Sequence, residues 1–317
     1  MIVTRQDLET SLARVRAEVS DPRAGIYGPG SQAWAINRHA ALFVAGGRAA
    51  LLQLAHPFVA AAVAEHSATR ADPLGRFVRT FGAVYAMVFG DWDGAERAAR
   101  RVFAIHCRIR GRLPEAAGRW PRGTAYAAND VGALLWVHAT LIDSAVCAYE
   151  LAVGRLPAEA RDRYWRQSRR FAYLFGIPPD ALPADWPAFE RYMAEMVASD
   201  ALAVTRAAAD IARLLFLPRR RAMVPAMRWI EIVTAGLLPA RFRAPFGLRF
   251  GPAERAVFAA TGPALRAAHR LAPPSVRYVP AYRSARRRLA GRPPAVAAER
   301  WARRLLAFGL AGAREAR

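Results

Sequence analysis

Leu74, Phe77, Val78, Phe81, Val84, Tyr85 and Val88 recur at i, i+3, i+4 and i+7, the spacing of one helix face. Leu134, His138, Leu141, Ile142 and Ala145 repeat it. The same period predicts further helices at about 5–19, 47–66, 92–112, 157–175, 187–214, 222–238, 252–270 and 295–312. Gly and Pro clusters punctuate them, as at Tyr27-Gly28-Pro29-Gly30, Gly176-Ile177-Pro178-Pro179, Ala272-Pro273-Pro274 and Gly291-Arg292-Pro293-Pro294. Sustained period-two alternation is missing, as are Asn-Gly or Asp-Gly turns between β-branched runs. The expected fold class is therefore all-α. The gaps are short and no internal repeat is evident. One compact multi-helix domain over 1–317 is expected, with its core at about 27–215 and a helical C-terminal extension at about 216–317.

Composition agrees with a packed protein. Of 317 residues, 54% are hydrophobic and only 23% charged, so a sizeable core can be buried. All 47 cations of the Lys+Arg total are Arg, and the net charge is +22. Such a surface favours anionic partners, whether acidic lipid headgroups or nucleic acid. The arginines are scattered, with dense groups at Arg219-Arg220-Arg221 and Arg286-Arg287-Arg288. No zinc-finger spacing or aromatic-Gly RNA-binding signature accompanies them, which disfavours nucleic acid. Cys107 and Cys147 sit in apolar helical patterns and are expected as buried, reduced thiols. The first twenty residues read as a polar amphipathic helix rather than an export signal. No run reaches the roughly 18 uncharged apolar residues of a spanning helix. The expected location is cytoplasmic and not secreted, with peripheral contact to an acidic membrane left open.

The candidate chemistry lies on three of these helices. His106, in Ala104-Ile105-His106-Cys107, sits four after Val102 and three before Ile109, so its ring is expected on their inward stripe. A neutral inward imidazole is what a haem iron needs as axial ligand. A core histidine bonded to a backbone carbonyl is the competing reading. His138 shares the inward face of Leu134, Leu141 and Ile142 and is open to the same two readings. Arg76, Arg79 and Thr80 stand at i, i+3 and i+4, one face of one helix. They could bond carboxylates such as haem propionates or line an oxygen pocket. A solvated face is the alternative. Asp72-Pro73 reads as a helix cap, and His56 and His66 as residues at helix ends. His39 and His269 have no constellation around them in the sequence.

Other chemistries lack their motifs. There is no Glu-x-x-His, His-Glu-x-x-His, Cys-x-x-Cys-His, Walker loop, Gly-x-Gly-x-x-Gly or Gly-x-Ser-x-Gly. What the chain does carry, in order, is GPGSQAWAINRHAALFVAGGRAALLQLAHP, HS..R.DPLGRFVRT, RRVFAIHCRIRG, YAANDVGALLWVHATLIDS, LFGIPPDALPADWPAFERYM and GLLPARFR. Their order and spacing resemble the mpaB / rubber-oxygenase catalytic domain family, which includes the haem-dependent latex-clearing proteins. The resemblance runs from about Tyr27 to Arg287.

The resemblance implies a globin-like helical core around non-covalent haem b and an oxidoreductase that uses dioxygen on an apolar, isoprenoid or alkene substrate. It implies Arg76, Arg79 and Thr80 as the catalytic distal group, with Arg76 also near the cofactor. It implies His106 as the iron ligand, with His138 as the alternative cofactor-binding residue. In the latex-clearing proteins the position of Arg79 is Lys. Arg stays protonated and does not ligate iron, so an amine-ligated resting state is not expected here. Two rival readings remain: a haem-binding or sensing protein without turnover, and a basic helical protein on membranes or nucleic acid.

Overall fold

The computed structural model describes residues 1–66, 73–218 and 220–293, with backbone only over 73–79. The regular secondary structure of the described chain is helical except for one small hairpin. Its helices are α1 (Arg5–Glu18), α2 (Gln32–Asn37), α3 (Gly46–Leu54), α4 (Pro57–His66), α5 (Pro73–Phe89), α6 (Trp92–His106), α7 (Val131–Ala152) and α8 (Ala158–Tyr173). They continue as α9 (Trp186–Ala198), α10 (Arg206–Phe216), α11 (Val224–Leu237), α12 (Ala240–Arg243), α13 (Pro252–Leu271), α14 (Pro274–Arg277) and α15 (Pro280–Leu289). A 3-10 turn over Ala40–Ala45 precedes α3. The hairpin pairs β1 (Arg110–Arg112) with β2 (Ala125–Ala127) antiparallel, Gly111 opposite Tyr126.

The centre is α7. By length and composition α7 is the one described helix able to cross a membrane, at 22 residues and mean hydropathy 1.6. Its faces are taken up by protein: α3, α8, α13 and the 3-10 turn pack around it. Trp136 is fully buried there and donates its indole N–H to the Leu52 carbonyl at 2.7 Å. Trp34 does the same to the Val88 carbonyl at 2.9 Å, joining α2 to α5. Large aromatics thus fill the core without orphaning a donor. Arg48 on α3 is buried as well. It meets Asp143 of α7 at 2.6 Å, Ser144 Oγ at 2.8 Å and the Leu237 carbonyl of α11 at 2.8 Å.

Four expectations need correction. The stretch 47–66 is two helices, because α3 with its leading turn and α4 meet at a 100° bend. Pro57 has no N–H for the ladder and disfavours helical backbone at His56. The Ala55 carbonyl freed there accepts from Ala203 N–H at 2.8 Å. The stretch 92–112 stops at His106, and 110–112 is β1. The stretch 187–214 breaks at Ser199 and Thr205, each of which caps a helix end, giving α9 and α10. Cys107 follows α6 and is exposed, while Cys147 is half-buried; both thiols are free. The helix expected at 295–312 and the cap at Asp72 lie outside the described residues.

Candidate functional site

Helices α5 and α6 are joined by only Gly90 and Asp91 and pack on each other, forming a helical hairpin. Asp91 caps α6 by accepting the Gly94 N–H at 2.8 Å, which fixes where α6 starts. Arg76 lies thirteen residues before the end of α5 and His106 fourteen after the start of α6. At 1.5 Å rise per residue each stands about 20 Å from the turn, so the two positions are level on backbone placement. Thr80 sits one turn nearer the hairpin and is exposed. The side chains of Arg76 and Arg79 lie outside the described residues.

His106 is half-buried in the last turn of α6. The inward stripe with Ile109 does not exist, because the helix has ended; Ile109 is in the turn toward β1, its N–H on the His106 carbonyl. What orients the ring instead is Asn129, just before α7. Burial lowers the His106 pKa, and a hydrogen bond with the Asn129 side chain partly restores it. Asn129 Nδ2 donates to Cys107 Sγ at 3.4 Å.

His138 is placed elsewhere. It is 2% exposed, two turns into α7, with Trp165 and Phe171 rings at 5.7 and 5.9 Å. Its Nε2 is 3.5 Å from Ser168 Oγ, whose own proton goes to the Trp165 carbonyl. Its Nδ1 has no hydrogen-bond partner. Burial pushes its pKa down to about 3, so the ring is neutral. Ser168 and Phe171 also line a narrow, partly open apolar cleft. Phe81, Val84 and Tyr85 of α5 and Ile142 of α7 form other walls. The inward placement expected for His138 is therefore observed, one side chain behind an apolar cavity. The structure does not bring it together with His106, whose partner Asn129 lies before the start of α7.

The remaining histidines are also placed. His56 Nδ1 accepts the Phe58 N–H at 3.3 Å, the expected role at a helix start. His66 is 3.8 Å from Glu65, whose carboxylate accepts the Tyr126 hydroxyl at 2.5 Å. His39 and His269, without neighbours in the sequence, meet with ring centroids 4.8 Å apart at a 58° tilt, and Tyr149 and Tyr278 pack edge-on against His39. Among the described residues no group of three or more His, Cys, Asp or Glu is placed to hold a bare metal ion.

Residues 34–267 match the model of the ER-bound oxygenase mpaB/B'/Rubber oxygenase, catalytic domain. The chain belongs to this family. The match spans α2 through most of α13 and includes every candidate position, from Arg76 to His138. No curated protein and no solved structure matched the chain. Membership in this oxygenase family implies dioxygen and a small-molecule substrate. Two groups near the oxygenase-family candidates escaped the sequence reading. Asn129 adjoins the cap Asp130 and reads as part of a turn; Glu65 and Tyr126 are far apart in the chain and meet only across the hairpin.

Proposed function

We propose that the protein is a haem b-dependent oxygenase that oxidises an apolar, alkene-bearing substrate with dioxygen. The observation that carries this reading is the His106 ring. Burial favours its neutral form and a hydrogen bond with the Asn129 side chain steadies it; a neutral imidazole has a nitrogen lone pair to offer a metal. A neutral imidazole and an arginine-bearing neighbouring helix would suit a haem, whose iron and propionates need such partners. His106 would hold the iron. Arg76, level with it on the neighbouring helix, would bond propionate oxygens, and Arg79 and Thr80 would stand on the same face of α5. When bound, the haem supplies the redox chemistry on dioxygen.

The chain's own residues would bind, orient and keep dry. The apolar walls around Phe81, Val84, Tyr85 and Ile142 favour a hydrocarbon over a charged substrate. His138 is the alternative ligand. The Trp165 and Phe171 rings beside it, and Ser168 at its Nε2, favour a role as a neutral core residue.

The test is the absorption spectrum of purified protein, wild type against His106→Ala and His138→Ala, with circular dichroism to confirm folding. A Soret band lost only in His106→Ala supports the assignment. Loss only in His138→Ala would transfer the axial role. A colourless wild type that takes up no haem on reconstitution would end the haem reading. Oxygen uptake with an unsaturated lipid then separates turnover from simple haem binding.

A further inference from the structure

We infer that Tyr126 is a redox-active tyrosine, which yields an electron to an oxidised centre at His106 while Glu65 takes its proton. The role at His106 rests on the haem reading; the chemistry of the Tyr126–Glu65 pair does not. Tyr126 lies in β2 and is 4% exposed. Its ring packs with Phe58, Ala61, Leu113 and Ala133. Its hydroxyl donates to Glu65 Oε2 of α4 at 2.5 Å, the short range of an O–H on a carboxylate. Phenylalanine would fill the same apolar cluster, so the hydroxyl serves the carboxylate rather than the packing. The strand opposite makes room for the pair. Gly111 faces Tyr126 across the hairpin, and a Cβ there would come within 2.9 Å of Glu65 Oε2. Burial and the adjoining carboxylate raise the Tyr126 pKa, so the phenol is protonated at rest.

Burial decides how such a phenol is oxidised. Loss of an electron alone would leave a ring cation in an apolar cluster, where a charge is costly. Proton transfer in the same step avoids it. One electron leaves the phenol, its O–H bond breaks, and an O–H bond forms on Glu65 Oε2. The products are a neutral tyrosyl radical, enclosed among apolar side chains, and a carboxylic acid. A reductant of the thiol or ascorbate class then returns one electron, and the proton goes back from Glu65 to the phenol oxygen.

The route to His106 is short. Asn129 stands three residues after Tyr126 and hydrogen-bonds His106. The Ala128 N–H bonds the Ile109 carbonyl at 2.9 Å, which ties this stretch to the end of α6. A brief run of backbone and one hydrogen bond thus join the phenol to the candidate iron ligand. An oxygenase that takes up dioxygen without a substrate in place is left with oxidising equivalents, and a tyrosine so placed would drain them.

The experiment is electron paramagnetic resonance on freeze-quenched samples of the full chain. One arm oxidises the protein as purified with hexachloroiridate(IV), a one-electron oxidant that needs no haem. The other oxidises haem-loaded protein with hydrogen peroxide. Wild type should give a tyrosyl radical in both arms, and Tyr126→Phe should lose it. Glu65→Gln, whose amide is no base, should lose it as well, with circular dichroism confirming the fold of both variants. Deuterium oxide should slow radical formation in wild type, because a proton moves with the electron; a purely structural hydrogen bond has no such effect. The inference is overturned if wild type gives no tyrosyl radical with either oxidant, or if the radical survives in Tyr126→Phe or in Glu65→Gln. A radical with the iridium oxidant and none with peroxide overturns the link to His106. A protein that takes up no haem overturns the haem reading instead, and the iridium arm still decides on the pair.

Discussion

Asn129 and His106 are joined by a side-chain hydrogen bond across the gap between the end of α6 and the start of α7. Asn129 is 4% exposed and also donates to Cys107, so one buried carboxamide fixes two consecutive residues at the helix end. Replacing it by Ala should leave the His106 ring free to rotate and to change tautomer. Outer partners of metal-bound histidines are typically worth about 10- to 100-fold in metal affinity. Haem titration of Asn129→Ala should show a loss in that range, with folding intact. Asn129→Ala that binds haem as tightly as wild type would show the bond to be structural only.

Buried histidines set an acid limit on stability. Burial holds the pKa of His138 at about 3 and those of His39 and His56 at about 4, all below the unfolded value near 6.5. His39 also faces His269, Arg38 and Arg277, which oppose its protonation. Between about pH 6.5 and the folded values the unfolded chain binds protons that the folded chain does not. Stability therefore rises with pH across this window and is lost as pH falls through it. His138 alone should remove about 2 kcal/mol between pH 7 and pH 5. Denaturant melts at these two pH values should show a smaller drop in His138→Leu. An identical drop would mean that His138 is not the buried neutral group described.

The ion pair of Arg48 with Asp143 is a cross-link of three helices. Arg48 is 6% exposed and bonds α7 and α11 from α3. Arg48→Ala strands the Asp143 carboxylate and the Leu237 carbonyl, at a cost of about 3–5 kcal/mol. The double variant with Asp143→Ala should recover part of that loss. Chemical denaturation of the two single variants and the double variant measures the coupling. Additive losses would show that the pair contributes no specific coupling.

The two thiols should differ in reactivity. Cys107 is exposed, whereas burial raises the Cys147 pKa to about 11. The thiolate is the reactive form, so a disulfide reagent at pH 8 should modify one thiol quickly and the other only on unfolding. Cys107→Ser should abolish the fast phase. A fast phase that survives in Cys107→Ser would put Cys147 at the surface.

Much of the fold is written locally. The period of 3.6 residues marks α1, α8, α11 and α13 close to their observed ends and locates α5 and α7, because apolar positions recur at helical spacing along a single stretch of chain. Short elements such as α2, α12 and α14 carry too few turns for a period to register. Of the site, the sequence identified the level pair of positions Arg76 and His106 as candidates, and the inward direction of His138, from residue type and spacing.

Tertiary structure decided what depends on distant partners. Apolar spacing continues past His106 to Ile109, yet α6 stops because the chain turns there to pair β1 with β2. A Cβ at Gly111 would come within 2.7 Å of the Tyr126 hydroxyl, so a larger residue there would push the Tyr126–Glu65 pair aside. That stop leaves Cys107 in solvent and brings His106 to Asn129. His39 and His269 meet because α13 folds back across α7, and no local pattern encodes such a meeting. Periodicity records which face of an element is apolar; it does not record which face of another element covers it. The sequence by itself therefore determined the all-helical class, the longer helices and the family of this protein. Packing between remote segments decided which histidine stands free, which is enclosed, and which apolar side chains remain at the surface.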